Sequence, residues 1–126
     1  MKNNGTYIDL ISSACKKITE FTRGMDGAQF ENTPIAQSAV MMQLQVIGEV
    51  AKKIEKSSRK EINVPWKLII GLRDLISHDY FSIDIEDIWK IVTINIPELE
   101  KALLSYLETK GLTYMPPFDD TTHLME

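Results

Sequence analysis

Residues 33–54 read TPIAQSAVMMQLQVIGEVAKKI, and this stretch decides the fold class. Its apolar residues recur every three or four positions, which is the spacing of one face of an α-helix. Thr33 followed by Pro34 is typical of an N-cap and a first helical residue. The pattern predicts a helix that ends near Ser57 and Ser58. Its expected inward residues are Val40, Leu44, Ile47, Ala51 and Ile54.

Three further segments show helical spacing, and strand-like alternation is absent over any useful length. The first helix is predicted over residues 7–22, the third begins at Pro65, and the fourth follows a break near Ser82 and Asp84. Pro97 should kink the fourth helix or divide it, because proline has no N–H to donate. The expected inward residues are Ile8, Ile11, Cys15, Ile18 and Phe21 in the first helix, Trp66, Ile69, Ile70 and Leu72 in the third, and Ile88, Trp89, Val92, Leu99, Leu103 and Tyr106 in the fourth.

The sequence therefore predicts an all-α protein, an up-down bundle of four main helices in a domain of residues 1–110. Gly24, Gly27 and Asn32 interrupt the pattern after the first helix. An irregular C-terminal tail is predicted over residues 111–126, since Gly111 resembles a helix C′ residue and Pro116-Pro117 forbids continuation. A tail of this kind is usually disordered, but apolar residues could anchor it on the bundle or on a partner. These residues are Leu112, Tyr114, Met115 and Phe118.

Length and composition fit one modest core and leave no room for a second domain: the chain has 126 residues, 44% of them hydrophobic and 25% charged. Cys15 is the one cysteine, so no internal disulfide can form, and its apolar neighbours suggest a small buried side chain. The N-terminus lacks an apolar signal region, and no apolar run could cross a bilayer. A cytoplasmic location is expected, with no membrane contact.

The candidate functional motif is Arg73-Asp74-Leu75-Ile76-Ser77-His78-Asp79-Tyr80. It combines a fixed cation, a carboxylate, a group that titrates near neutrality and a phenol, which is a suitable set for phosphate chemistry. Asp74 lies four residues before His78, so its carboxylate could accept the Nδ1 proton of the imidazole. Arg73 and His78 are five apart, roughly 140° around a straight helix. Either the helix ends near His78, or two copies of the motif meet across a dimer axis.

The pattern of Arg73, His78 five positions later and Tyr80 two positions after that resembles the signature of the HEPN superfamily. The likeness is greatest to its HepT-like branch, the ribonuclease toxins encoded beside a minimal nucleotidyltransferase (MNT) antitoxin. It extends over residues 7–108. The supporting segments are Ile47-Gly48-Glu49, Pro65-Trp66, Gly71 before Arg73, and the run from Ile94 to Leu99.

The resemblance implies a metal-independent endoribonuclease toxin of a type VII-like toxin-antitoxin pair, with no cofactor. Arg73 and His78 of two protomers would line one cleft at the interface of a homodimer, and Asp74 would orient His78 or support Arg73. Attack by the ribose 2′-OH would restrict cleavage to RNA and exclude DNA. Tyr80 would accept AMP groups from an MNT-type nucleotidyltransferase, and these groups would block the cleft. The alternative is a non-catalytic helical dimer that binds such a nucleotidyltransferase or a nucleotide.

The formal net charge is −4, so any contact with RNA must be local. The candidate patch consists of Lys52, Lys53, Lys56, Arg59 and Lys60, diluted by Glu55 and Glu61. The same cations would also suit a solvated helix end. A metal-dependent phosphohydrolase is not favoured: His78-Asp79 resembles part of such a site, but His123 in the tail is the one remaining histidine.

Overall fold

The computed structural model describes residues 4–117, and all regular secondary structure among them is helical. The longer helices are α1 (Asn4–Phe21), α3 (Pro34–Ala51), α5 (Trp66–Asp79) and α7 (Ile96–Thr109). Three short helices are α2 (Gly27–Glu31), α4 (Lys56–Lys60) and α6 (Ile85–Lys90). A 3₁₀ turn (Tyr80–Ser82) follows α5, and a π-helical turn (Ile91–Asn95) joins α6 to α7.

Helix α3 occupies the middle of the bundle, because it packs against both α1 and α5, while α7 packs on α1. Its five predicted inward residues are all buried, as are most of those predicted for the other helices. Cys15 is fully buried, and this burial raises the pKa of its thiol to about 12. Phe21 was expected to be buried but is 38% exposed, because the buried stripe of α1 passes from Ile18 to Thr22 and leaves Phe21 at its edge.

Helix α3 ends at Ala51, so the prediction that it reaches Ser57 and Ser58 is wrong. The chain folds into turns after Ala51 and starts a new helix, α4. Two buried residues, Ile54 and Ile62, draw this segment back onto the bundle. The indole of Trp66 donates to the carbonyls at 59 and 62, at 2.8 and 3.0 Å. Tertiary burial therefore overrides the local preference for a continuous helix.

Helix α2 lies where the sequence analysis expected an interruption. Asp26 accepts a hydrogen bond from the Gln29 backbone N–H at 2.8 Å, and the Gln29 side chain accepts one from the Asp26 N–H at 2.8 Å. This reciprocal pair is a capping box, which starts the helix in spite of Gly27. The spacing Asp26-x-x-Gln29 could have predicted the start of this helix from the sequence.

The predicted interruption of the last helix is confirmed, and the π-helical turn just before Pro97 divides it. Proline cannot donate to the carbonyl four residues earlier and its ring clashes with it, so the preceding turn widens. Helix α6 begins after Asp84, whose carboxylate accepts from the Glu86 N–H at 2.9 Å. At the other end, Gly111 adopts φ +70° and closes α7 as predicted.

The described part of the tail lies along α1. The Met115 N–H donates to the Asp9 carboxylate at 3.3 Å, and the Lys16 ammonium lies 5.0 Å from the centre of the Tyr114 ring. Tyr114 is half-buried and acts as an anchor, whereas Leu112 and Met115 are exposed. Phe118 and His123 lie outside the described residues.

No helix within residues 4–117 is long and apolar enough to cross a membrane.

Candidate functional site

The position of Arg73 is set by a close approach of α3 and α5 at Gly48. A Cβ atom at residue 48 would lie 2.7 Å from the backbone nitrogen of Arg73 and 3.1 Å from the carbonyl oxygen of Ile69. Only glycine allows the two backbones to come this close. The start of the motif is therefore held directly against α3, and Glu49 becomes its neighbour.

Two carboxylates contact the exposed Arg73 guanidinium. Its Nε lies 3.6 Å from Oε2 of Glu49, and its Nη1 lies 3.2 Å from Oδ1 of Asp74. All three side chains are about half exposed, so each ion pair contributes little to stability. Neither contact uses Nη2, which can donate to an incoming oxygen. The pairs orient the guanidinium without enclosing it.

His78 lies in the last turn of α5, which ends at Asp79. Its side chain is exposed. Within the described chain, no hydrogen bond joins His78 to Asp74, whose carboxylate instead contacts Arg73. The sequence left two partners open for Asp74, His78 and Arg73. In the structure Asp74 contacts Arg73.

Arg73 and His78 both belong to one regular helix, which continues to Asp79. Their five-residue offset therefore keeps the two side chains roughly 140° apart around the axis. The helix ends at Asp79, one residue after His78, so its end does not change this angle. A single copy of α5 therefore presents Arg73 and His78 on different sides of the helix.

Two contacts link the rest of the motif to α3. The Ser77 hydroxyl donates to the side-chain oxygen of Gln45 at 3.2 Å, and the hydroxyls of Tyr80 and Ser38 lie 3.5 Å apart. Together with the Arg73–Glu49 pair, these contacts show that α3 and α5 run antiparallel: the partner's residue number falls along α3 as the residue number rises along the motif. Arg73, Ser77 and Tyr80 thus form one continuous exposed surface with α3, which we call the α3–α5 face.

The α3–α5 face changes character along its length. A shallow depression of about 340 Å³ beside Arg73 is lined by Gln45, Val46, Glu49 and Val50. At the other end, exposed apolar side chains lie on α3 and in the 3₁₀ turn that follows α5. These side chains are Ile35, Met42, Tyr80 and Phe81.

The predicted basic patch is divided between the end of α3 and the short helix α4. Lys52, Lys53, Lys56 and Lys60 are exposed. Arg59 is half-buried, and its Nε donates to the carbonyl of Ile54 at 2.9 Å, so it stabilises the turn between the two helices. Lys52 follows Glu49 by one helical turn, which places the start of the patch near Arg73.

Sequence reasoning missed Glu49, Gln45 and Ser38 as contact partners of the motif. Their spacing was a usable signal, since positions 38, 42, 45 and 49 form a second helical stripe beside the buried one. Among the described residues, no three His, Cys, Asp or Glu side chains are placed to hold a metal ion.

Comparison with known proteins identifies the family. The family model "Ribonuclease HepT-like" matches residues 11–105. The chain is a member of the HepT-like ribonuclease family. This membership confirms the predicted resemblance and supports the endoribonuclease activity predicted from it. No solved structure gives a significant match.

Several relatives with ribonuclease names are similar over most of their length. "Putative RNase TTE0752" of Caldanaerobacter subterraneus is 35% identical over 86% of this chain and 97% of its own. "Putative RNase MJ1380" of Methanocaldococcus jannaschii is 38% identical over 74% of this chain and 85% of its own. "Probable ribonuclease HepT" of Thermococcus cleftensis is 33% identical over 79% of this chain and 91% of its own.

Proposed function

We propose that the protein is a metal-independent endoribonuclease toxin whose site combines Arg73 of one protomer with His78 of another. The observation that carries the proposal is the exposure of both side chains on one regular helix, where their five-residue offset separates them by roughly 140° around the axis. A two-fold dimer in which the α5 helices of two protomers meet would bring one of each together. Membership of the HepT-like ribonuclease family supports RNA as the substrate.

In this reaction the ribose 2′-oxygen forms a bond to the adjacent phosphorus, and the bond from phosphorus to the 5′-oxygen breaks. Arg73 would bind the phosphate and stabilise its developing charge. His78 would take the proton of the 2′-OH as general base, or give one to the leaving 5′-oxygen as general acid. The products would be a 2′,3′-cyclic phosphate and a 5′-hydroxyl. Asp74 would support Arg73, consistent with their ion pair.

The direct test is cleavage of a short single-stranded RNA by the purified protein in excess chelator. We expect products with cyclic phosphate ends, and no cleavage where one 2′-OH is replaced by hydrogen. The His78→Ala protein is the matched control for contaminating nucleases. Inhibition by the chelator, or equal activity of the control, would contradict the proposal.

The shared site can be tested by mixing two inactive proteins. Arg73→Ala and His78→Ala homodimers each lack one half of every site, but a mixed dimer retains one site with both groups. Activity should therefore reappear on mixing and subunit exchange, while sedimentation shows a dimer at micromolar concentration. A fully active monomer would rule out this arrangement.

We also propose that an MNT-type nucleotidyltransferase silences the enzyme by transferring AMP to Tyr80. The phenol is 42% exposed, which gives a partner access to its oxygen. That oxygen would attack the α-phosphate of ATP and release pyrophosphate. The added phosphate would lie on the same face as Arg73 and compete for it electrostatically. Both ATP and RNA are present in the cytoplasm, where we propose that the pair acts.

Mass spectrometry after incubation with ATP and the cognate transferase tests this regulation. We expect the mass to rise by whole AMP units and cleavage to stop, whereas Tyr80→Phe should take up no AMP and remain active. Labelling of Tyr7, Tyr106 or Tyr114 instead would overturn the choice of Tyr80. Neutralisation of Tyr80→Phe by an active transferase would indicate inhibition by binding alone.

The exposed lysines of the basic patch would hold RNA beyond the cleaved phosphate. Replacing Lys52 and Lys53 by Gln should weaken RNA binding and flatten its dependence on salt, by about one unit of slope for each phosphate that the protein no longer neutralises. A matched pair of lysines away from this face, Lys90 and Lys101, should leave the slope unchanged if replaced in the same way.

A further inference from the structure

Phe81 stands out among the apolar side chains because it is fully exposed, at 101% of its reference area. It lies in the 3₁₀ turn after α5, three residues beyond His78. Its ring meets Tyr80 in an edge-to-face contact, with the ring centres 5.4 Å apart and the planes at 82°. This contact leaves a ring face available for stacking.

The turn that carries Phe81 is held on both sides. The Ser82 hydroxyl donates to the Asp79 carbonyl at 3.3 Å, and the next helix is capped by Asp84. Before and after the turn, the buried Ile76 and the half-buried Ile83 pack against the core. Phe81 is therefore displayed from a defined backbone next to the proposed general acid or base.

The proposed reaction creates a need for such a ring. Attack of the 2′-oxygen requires this atom, the phosphorus and the 5′-oxygen to lie in line, which a stacked single strand does not allow. The two bases beside the cleaved bond must therefore separate, and one of them loses a stacking partner. Exposed aromatic side chains are the usual replacement partner for unstacked RNA bases.

The charges around the turn also favour a base over a phosphate. Asp79 and Asp84 flank Phe81 in sequence, and both are exposed. Their carboxylates disfavour a phosphate directly over the ring of Phe81, whereas Arg73 of the other protomer attracts the phosphate that is cleaved. An RNA strand in the shared site would thus place its phosphate between Arg73 of one protomer and His78 of the other, and its base on the turn beside that His78.

We infer that Phe81 is a base-binding residue that stacks on a nucleobase next to the cleaved phosphate. This inference rests on the proposed ribonuclease function. It adds a subsite for one unpaired base, so the enzyme should prefer single-stranded RNA with a base at that position over a strand that lacks it.

The test is a double-mutant cycle between the protein and the RNA. Wild-type protein and Phe81→Leu are each assayed on an RNA of fixed sequence and on versions with an abasic ribose at either nucleotide beside the cleaved bond. Loss of one stacked base typically weakens binding about 5- to 150-fold. Phe81→Leu should lower kcat/KM by a factor in that range on intact RNA, and should have no effect on one of the abasic strands. Phe81→Trp should retain near-normal activity.

The competing explanation is that Phe81 contacts a protein, such as a second copy of the chain. In that case Phe81→Leu would lower activity equally on intact and abasic RNA, and the loss would disappear at high protein concentration. Ile35→Ala is the matched control, because it removes another exposed apolar side chain of the same face without removing a ring. An equal effect of this control and of Phe81→Leu on every strand would overturn the inference.

Binding measurements separate this inference from the ribonuclease proposal. Fluorescence anisotropy with His78→Ala protein reports RNA binding without cleavage. If wild-type protein cleaves no RNA, but Phe81→Leu in this background still weakens binding to intact RNA alone, the reaction fails and the base contact remains. If cleavage occurs while Phe81→Leu changes neither binding nor kcat/KM, the base contact fails.

Discussion

The middle of α5 and the end of the same helix differ in how their functional groups are held. Arg73 lies against Gly48 in the middle of α5 and is paired with two carboxylates, Glu49 and Asp74. His78 and Phe81 lie at the end of the helix and in the following turn, and both are exposed. The fold thus fixes the position of the arginine and partly neutralises its charge. At the end of the helix it presents exposed groups, whose surroundings a second protomer or a substrate would complete in the proposed function.

The largest effect should come from removing the side chain of Arg73 or that of His78. Arg73→Ala and His78→Ala should each lower kcat/KM for RNA about 100- to 1,000-fold, because a charge-stabilising group or a general acid or base is removed. Arg73→Lys should recover part of the loss, since it retains the charge but not the bidentate geometry. Circular dichroism should show unchanged helicity. Near-normal activity of either alanine variant would remove that residue from the site.

A smaller effect is expected from Gly48→Ala, which changes the surroundings of Arg73 alone. The new Cβ would lie 2.7 Å from the backbone nitrogen of Arg73, so α5 must move away. Overpacking of this kind costs about 1–3 kcal/mol of unfolding free energy, which chemical denaturation can measure. The displaced Arg73 should also lower activity.

Gly71→Ala is the matched control for Gly48→Ala. It also lies inside a helix, but its added Cβ would meet no atom within 4 Å. It should raise the unfolding free energy by up to about 1 kcal/mol, because alanine favours a helix. Equal stability of the two variants would show that the close approach of α3 and α5 is not restrictive.

The smallest effect concerns the carboxylates that neutralise the arginine. Glu49→Gln should lower the KM for RNA up to about fivefold at low salt, since a substrate phosphate no longer competes with this ion pair. The gain should shrink as salt is added. Glu108→Gln changes the net charge equally on another helix and should leave the KM unchanged. A higher KM for Glu49→Gln would mean that Glu49 positions Arg73 rather than competing for it.

Much of the fold could be predicted because the helices have one apolar face each. The stripe from Val40 to Ile54 is buried as predicted, and Thr33-Pro34 does begin α3. The end of α3 could not be predicted, because the segment after Ala51 contains neither glycine nor proline and is turned by the burial of Ile54 and Ile62. Such tertiary effects leave no local pattern.

The candidate site was predictable as a motif but not as a surface. The motif Arg73 to Tyr80 is continuous in sequence and therefore recognisable. Its partners Glu49, Gln45 and Ser38 come from a different helix, 24 to 42 residues away, and were revealed by packing alone. The five-residue offset predicts that Arg73 and His78 lie on different sides of a straight helix. They do so in the structure, because α5 remains regular through His78.

The weak contact between Tyr80 and Ser38 has a consequence for how the proposed switch would operate. At 3.5 Å and in contact with solvent, it contributes almost nothing to folding, and water can replace it at little cost. Loading Tyr80 with a nucleotide would therefore leave the melting temperature nearly unchanged. The transferase could act on a protein that is already folded and assembled, so inactivation would need neither unfolding nor new synthesis of the target.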